Sequence, residues 1–259
     1  MTNLAKPIFT RALVAALALA LSCAGVVAGA LPRSALGLIV DACALDDMIL
    51  SLPEPCLKVG RAADPNRSYV VLREPFSRER TILSPIASIA GIEDPRLVLP
   101  DAPNFFAMAW QERGAVIGAT KGSVGWRQMA LAINSEQSRT QDRLHVHIAC
   151  VKSEVAEALA REAATITTGQ FHQIRLGPSN HPYWAMRLAA ESLAGHNPIR
   201  LVAEAVPEAA AHMGSMTIAV VAEKAGDGAR GFIILAARSD PAKGFAAEAE
   251  RLLDPKCHT

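Results

Sequence analysis

The sequence predicts an α+β protein with an antiparallel sheet and flanking helices. Strand-like and helix-like segments are mixed without the regular alternation that builds a parallel sheet, and a hairpin pattern lies in the last third. Neither a G-x-G-x-x-G fingerprint nor a P-loop occurs. With 259 residues, of which 51% are hydrophobic, the chain can bury a substantial core. A formal net charge of +1 without a basic cluster argues against nucleic acid as the main partner.

The first element is an uncharged run of 20 residues, Ala12 to Leu31, preceded by Lys6 and Arg11. As a helix it would be about 30 Å long, which is the thickness of a bilayer core. It predicts export, either as a signal peptide cleaved at the "AGA" of residues 28–30 or as an uncleaved anchor. Lipidation at Cys23 is a third alternative. Each alternative divides the chain into a targeting segment, 1–31, and an exported domain, 32–259.

Four cysteines follow this run: Cys43, Cys56, Cys150 and Cys257. In an oxidising compartment an even number suggests two bridges, and four cysteines allow three pairings. Cys43 and Cys56 flank a short loop, so their nearness favours pairing with each other, which leaves Cys150 to bind Cys257. Four buried free thiols are the alternative.

The first half of the domain alternates helices and strands. Apolar spacing predicts a helix over 33–43, and Pro75 separates two β-rich segments. Asp101 and Pro103 mark the start of a helix that runs towards Gly114. The predicted elements are the helix "RSALGLIVDAC", the strands "SYVVLRE" and "RERTILSPI", the helix "DAPNFFAMAWQERGAV" and the strand "WRQMALAINS".

The second half begins with the strand "RLHVHIACV" and continues with a helix whose predicted N-cap is Ser153. The last third is predicted as a helix–hairpin–helix extension. Its elements are the helix "PYWAMRLAAESLA", two short helices divided by Pro207, the hairpin "MTIAVVAE" and "GFIILAAR" around "GDG", and a final helix from Pro241.

The strand over 143–151 contains the clearest chemical signal. Side chains alternate along a strand, so Arg143, His145 and His147 share one face while the apolar residues between them share the other. Neighbours on one face stand about 7 Å apart, so the three can contact one phosphate chain. Imidazole can attack phosphorus, protonate a leaving oxygen or bind a metal.

Polar residues just before this strand fit the same chemistry. The preceding strand ends in Asn134, and the loop between the two strands contains Arg139, Thr140 and Gln141. Their amide, guanidinium and hydroxyl groups can hydrogen-bond phosphoryl oxygens. These four residues and Arg143 are therefore predicted to bind substrate.

The segment "LAINSEQSRTQDRLHVHIAC" resembles the active-site segment of the histidine-triad (HIT-like) superfamily. Within this superfamily the chain is similar to the CDP-diacylglycerol pyrophosphatase family. The similar segments fall in the same order as in that family, and in chain order they are "PEPC", "YVVL", "PNFFAMAWQ", "AINS", "RTQ", "HVHI" and "EAVPEAAAHMGS". The resemblance covers nearly the whole chain and implies a HIT-like fold. It also implies that the four cysteines occupy family cysteine positions.

The resemblance implies hydrolysis of CDP-diacylglycerol to CMP and phosphatidate, within phospholipid metabolism at the bacterial inner membrane. The superfamily motif is His-φ-His-φ-His, and its middle histidine, here His145, takes the nucleotidyl group. His147 occupies the third position, and Arg143 replaces the first histidine. This scheme requires no metal or other cofactor. The family also implies that the hydrophobic segment is retained as a single-pass anchor, with the catalytic domain outside the cytoplasm.

Two other functional classes remain open. H-x-H on a strand also serves zinc sites, so His145 and His147 could bind the metal of a hydrolase if a third ligand were present. The missing first histidine instead fits a membrane-tethered binding protein that has lost catalysis.

Overall fold

The computed structural model describes residues 31–74, 77, 79–177, 180–224 and 228–258, and Arg33–Thr259 form one compact unit. The described helices are α1 (Ala35–Leu50), α2 (Phe105–Gln111), α3 (Gly114–Ala119), α4 (Ser153–Arg161) and α5 (Pro198–Ala205). The strands are β1 (Lys58–Gly60), β2 (Tyr69–Arg73), β3 (Thr81–Pro85), β4 (Met129–Ile133), β5 (Val146–Val151), β6 (His172–Leu176), β7 (His181–Leu188), β8 (Met216–Lys224), β9 (Arg230–Arg238) and β10 (Leu253–Asp254).

The described strands form one ten-stranded sheet in the order β1-β2-β3-β5-β4-β8-β9-β7-β6, with β10 paired to β5. Every pairing between these strands is antiparallel, which confirms the predicted α+β class with an antiparallel sheet. The order is symmetric about the β4–β8 boundary, because β2-β3-β5-β4 on one side corresponds to β6-β7-β9-β8 on the other. The sequence has no fixed-period repeat from which this symmetry could be predicted.

Helices cover both faces of the sheet. On one face α2, α3 and α5 bury apolar side chains over the centre of the sheet, among them Phe105, Val116 and Val202. On the other face α1 covers β2 and β3. The rest of that face, formed by β5, β4, β8, β9, β7 and β6, is covered by α4 and the 3₁₀ helix Ala249–Leu252.

Strand β5, which contains His147, lies between the part of this face that α1 covers and the part that α4 covers. His147 pairs with Ile82 of β3 on one side and with Ala132 of β4 on the other. Ile82 belongs to the cluster under α1, and Ala132 belongs to the cluster under α4. The fold therefore places His147 in the gap between these two clusters.

One disulfide ties α1 to the segment before β1, and the other ties the C-terminal segment to β5. Cys43 of α1 is bonded to Cys56, and Cys150 of β5 is bonded to Cys257 near the C-terminus. These are the pairs expected from the sequence. The second bridge and the pairing of Leu253 with Val151 hold the C-terminal segment beside β5.

The prediction of a helix over residues 182–194 is wrong, because residues 182–188 belong to β7 and residues 189–194 form neither helix nor strand. β7 pairs with β6, which the sequence analysis missed, and with β9. Its side chains alternate between the two apolar layers: Tyr183 and Ala185 pack into one layer, and Met186 packs into the other. Pairing on both edges outweighs the helical propensity of its Ala, Met and Leu residues.

The last predicted helix is also wrong. The chain from Pro241 forms only the 3₁₀ helices Pro241–Lys243 and Ala249–Leu252, and Gly244 ends the first of them in the left-handed conformation, with φ 67°. Of the two short helices around Pro207, only α5 forms, and turns followed by the 3₁₀ helix Met213–Ser215 replace the second.

The remaining helices form close to their predicted positions. The predicted helix over 101–116 divides into α2 and α3, and α2 begins after Asn104, whose side chain accepts a hydrogen bond from the Ala107 amide at 3.0 Å. The helix predicted over 33–43 forms and continues to Leu50. Helix α4 starts at Ser153, so its N-cap is Lys152 and not the predicted Ser153.

The predicted N-terminal helix lies, apart from Leu31, outside the described residues. Within the described ranges, no helix combines the length and the apolar character needed to span a bilayer.

Candidate active site

His145 and His147 lie side by side on the second face of the sheet. The residues that alternate with them, Leu144, Val146 and Ile148, point into the core on the other face, as strand alternation predicts. The two imidazole centroids are 4.8 Å apart in an edge-to-face arrangement, and both side chains are buried. The structure therefore forms the predicted pair.

The hydrogen bond of His145 fixes its tautomer. Its Nδ1 lies 2.7 Å from the backbone carbonyl oxygen of Arg143, and because a carbonyl only accepts, Nδ1 donates and Nε2 keeps its lone pair. No described residue makes a hydrogen bond with Nε2. Burial, assisted by the neighbouring charge of His147, lowers the pKa of His145 from 6.5 to about 4. At neutral pH His145 is therefore an uncharged imidazole, which is the nucleophilic form.

His147 has a different environment, because carboxylates flank both of its ring nitrogens. Nδ1 lies 2.6 Å from Oε1 of Glu74, and Nε2 lies 3.4 Å from Oε2 of Glu250. Glu74 follows β2, and Glu250 belongs to the 3₁₀ helix Ala249–Leu252. The Glu74 carboxylate hydrogen-bonds Nδ1 and so orients the ring, whereas Nε2 makes no hydrogen bond with a described residue.

Arg80 and Asn134 complete the network around His147. Nη2 of Arg80 lies 2.6 Å from Oε2 of Glu74 and also forms an ion pair with Glu250. The amide group of Asn134 donates to Oε2 of Glu250 at 3.1 Å, and its oxygen accepts from the Glu250 backbone at 3.0 Å. Burial alone would raise the pKa of Glu250, but the charge of His147 and the Arg80 contact outweigh burial and lower this pKa to about 2.

The same residues offer a set of metal-ligating atoms. One ligand atom from each of Glu74, His147 and Glu250 lies within 4.8 Å of the others, which supplies the third ligand that a metal hydrolase would need. However, the guanidinium group of Arg80 already forms ion pairs with both carboxylates. A cation bound there would have to displace Arg80.

The other predicted substrate-binding residues have protein partners. The guanidinium group of Arg143 donates to the carbonyl oxygens of Pro85 and Ile86 at 3.3 and 2.7 Å, and its Nη2 lies 3.2 Å from Asp41. Arg139 forms ion pairs with Glu93 and Asp142 at 2.6 and 3.1 Å, Gln141 accepts from the Leu36 amide at 2.8 Å, and Thr140 is exposed. Only Asn134 joins the network around His147.

The sequence analysis missed Glu74, Arg80 and Glu250 as site residues. Glu74 ends one predicted strand and Arg80 is the third residue of the next, so their closeness to His147 depends on the pairing of β3 with β5. Glu250 is 170 residues from Arg80, and no spacing rule connects the two. A buried imidazole with a free lone pair beside a second, carboxylate-oriented imidazole defines a site for nucleophilic and acid–base catalysis.

Comparisons with known proteins agree with this class. The family described as CDP-diacylglycerol pyrophosphatase matches residues 32–259. A CDP-diacylglycerol pyrophosphatase from Yersinia pestis is 35% identical over 205 residues, which cover 79% of this chain and 76% of that protein. The chain therefore belongs to the CDP-diacylglycerol pyrophosphatase family, whose members are hydrolases that act on a phosphoric anhydride.

Proposed function

We propose that this enzyme hydrolyses CDP-diacylglycerol to CMP and phosphatidate through a cytidylyl-histidine intermediate on His145. The observation that carries the proposal is the state of His145: its Nδ1 donates to the Arg143 carbonyl, and its pKa of about 4 keeps Nε2 unprotonated at neutral pH. A neutral, oriented imidazole is ready to attack a phosphorus atom. Family membership supports the substrate.

The reaction takes two displacements at the same phosphorus. Nε2 of His145 attacks the phosphorus of the CMP group, a P–N bond forms, and the P–O bond to phosphatidate breaks. A proton from His147 goes to the leaving phosphate oxygen, and water then cleaves the P–N bond to give CMP and regenerate His145. Glu74 hydrogen-bonds Nδ1 of His147 at 2.6 Å, and Nε2 has no hydrogen-bond partner among the described residues, which suits an atom that donates and then recovers a proton.

The proposal includes a HIT-like fold over residues 32–259, with Arg143 at the first position of the motif. The contacts of Arg143 with Pro85, Ile86 and Asp41 support a role in holding the entry of β5 against α1. The loss of a first histidine is therefore compatible with catalysis. Binding of phosphate groups by Asn134, Arg139, Thr140, Gln141 and Arg143 remains a prediction, and it requires the substrate to compete with their present partners.

We further propose that the enzyme is attached to the bacterial inner membrane. The uncharged run from Ala12 to Leu31 has the length of a membrane span, and Lys6 and Arg11 before it favour a cytoplasmic N-terminus. The two disulfides support a catalytic domain outside the cytoplasm, since disulfides persist in oxidising compartments. The proposed partners are the lipid-linked nucleotide and the membrane.

The decisive experiment follows a cytidine label from CDP-diacylglycerol into CMP and onto the protein. We expect His145→Ala to release CMP at the background rate and to form no labelled protein, because it removes the group that carries the nucleotide. His147→Ala should still form labelled protein but turn over roughly 10²–10⁴-fold more slowly, because it removes only proton transfer and charge stabilisation.

His212→Ala is the matched control, because His212 is exposed and lies outside the network. It should keep the wild-type rate. Near-normal CMP release by His145→Ala would end the proposal. Stoichiometric zinc that is lost in Glu74→Gln would favour the metal hydrolase, and an inactive wild-type protein that still binds the substrate would favour the binding protein.

A further inference from the structure

Helix α1 exposes a row of large apolar side chains to solvent. Leu38, Met48 and Ile49 are 69%, 67% and 66% exposed, and Leu45 is half exposed. These residues recur at spacings of three, four and seven, so they lie along one side of the helix. The opposite side buries Leu36, Val40 and Cys43 against β2 and β3. Exposed apolar residues that adjoin one another in this way are typical of a contact surface.

We propose that this outer face of α1, formed by Leu38, Leu45, Met48 and Ile49, lies in the surface of a lipid bilayer. Only three residues separate α1 from the end of the uncharged 20-residue run at Leu31. If that run spans the membrane, α1 follows at the point where the chain leaves it. The inference rests on the proposed function, since a lipid-linked nucleotide is the substrate that such a position serves.

The charges of α1 specify how it binds. The helix contains no Lys or Arg, and of its three carboxylates Asp41 is paired with Arg143 and Asp47 with Arg61. Attraction to anionic headgroups therefore contributes little, and burial of apolar side chains is the driving force. The chemistry identifies the acyl region near the headgroups as the partner, and zwitterionic lipid is sufficient.

The inner side of α1 connects this surface to the histidines. The Leu36 amide donates to Gln141, and Arg33, just before the helix, donates to both carboxylate oxygens of Asp142 at 2.7 and 2.8 Å. Gln141 and Asp142 end the loop that leads into Arg143 and His145. A helix seated in lipid would thus hold the entry of β5, and with it the nucleophile, next to the membrane that contains the substrate.

The test uses the full chain in phosphatidylcholine vesicles brominated near the top of the acyl chains. Met48→Trp adds an indole to the outer face, about 5–10 Å into the boundary of headgroups and acyl chains. Leu99→Trp adds one at an exposed leucine that follows Val98 on the opposite side of the sheet. After subtraction of wild-type emission, the added signal of Met48→Trp should be mostly quenched, and that of Leu99→Trp should be retained.

Equal quenching of the two added signals would overturn the proposal, as would no quenching of either. If the emission of Met48→Trp changes with protein concentration but not with added lipid, the face binds a second copy of the chain. If the emission changes with neither protein concentration nor lipid, the face is covered by the chain's own apolar run. None of these readings uses turnover, so they stand even if the protein releases no CMP.

A kinetic test adds the substrate. In Leu45→Asn/Ile49→Asn, CMP release from long-chain CDP-diacylglycerol in vesicles should fall roughly tenfold, because two buried apolar side chains are lost. Release from a soluble short-chain analogue should not change. Equal losses on both substrates would indicate damage to the site and contradict the proposal. A wild-type enzyme inactive on both substrates would instead refute the proposed function.

Discussion

Two histidines two residues apart acquire different chemistry from their surroundings. His145 is neutral because it is buried and its Nδ1 donates to a backbone carbonyl, whereas His147 lies between the carboxylates of Glu74 and Glu250. In the proposed mechanism this difference makes His145 the nucleophile and His147 the acid. Arg80 and Asn134 hold the carboxylates around His147 in place.

The pH dependence of kcat/KM tests the state of His145. The unprotonated imidazole is the reactive form, so activity should be lost only as pH falls through the folded-state pKa of about 4. We therefore expect an acidic limb with a midpoint near 4, well below the ordinary 6.5. The measurement is CMP release at limiting substrate, with circular dichroism at each pH to verify the folded state. A midpoint near 6.5 would show that His145 is not held neutral.

At the scale of elements, the sequence predicts what local pattern determines. The histidine strand, the hairpin of β8 and β9 and helix α1 all follow from periodicity and turn residues. The composition of "AMRLAAESLA" favours a helix, which is why the prediction for β7 is wrong. Gly177 and Asn180 are the local signal for the turn of the hairpin that β7 forms with β6. The partners of His147 could not be predicted, because strand pairing and the C-terminal segment bring them together across the chain.

The C-terminal segment brings Glu250 to His147, and the Cys150–Cys257 bridge holds that segment on β5. Cys150→Ala/Cys257→Ala should lower the free energy of unfolding by about 4–5 kcal/mol, because the bridge restrains a long stretch of the unfolded chain. It should also lower kcat, because Glu250 and β10 lose their anchor. Urea unfolding and CMP release measure the two effects.

The control for this element is Cys43→Ala/Cys56→Ala, which removes the bridge with a sequence separation of 13 rather than 107. It should cost about 3 kcal/mol and leave kcat nearly unchanged. Equal losses of kcat in the two double variants would show that the C-terminal bridge has no specific role at the site.

At the scale of the whole molecule, the described strands form a single antiparallel sheet whose two halves share one strand order, yet only one half contains the pair His145 and His147. In the other half β9 occupies the corresponding place and presents Ile233, Leu235 and Ala237 to the second face. That half therefore contributes an apolar platform, and the buried ionisable network is concentrated around β5. Such a concentration makes the stability of the fold depend on pH.

The lowered pKa values of His145 and Glu250 both predict that acid destabilises the folded state. His145 is neutral when folded, so its contribution is present above 6.5 and is lost as pH falls from 6.5 towards 4, because the unfolded chain takes up the proton first. Glu250 has a folded pKa of about 2 against an ordinary 4.5, so its contribution is lost as pH falls from 4.5 towards 2. Each shift corresponds to about 3 kcal/mol.

The test compares the free energy of unfolding in urea at pH 6.5 and at pH 4. Between these two values His145→Asn should lose about 3 kcal/mol less of this free energy than wild type, whereas His212→Asn should follow wild type. Parallel pH profiles for wild type and His145→Asn would show that the buried imidazole is not what links this fold to pH.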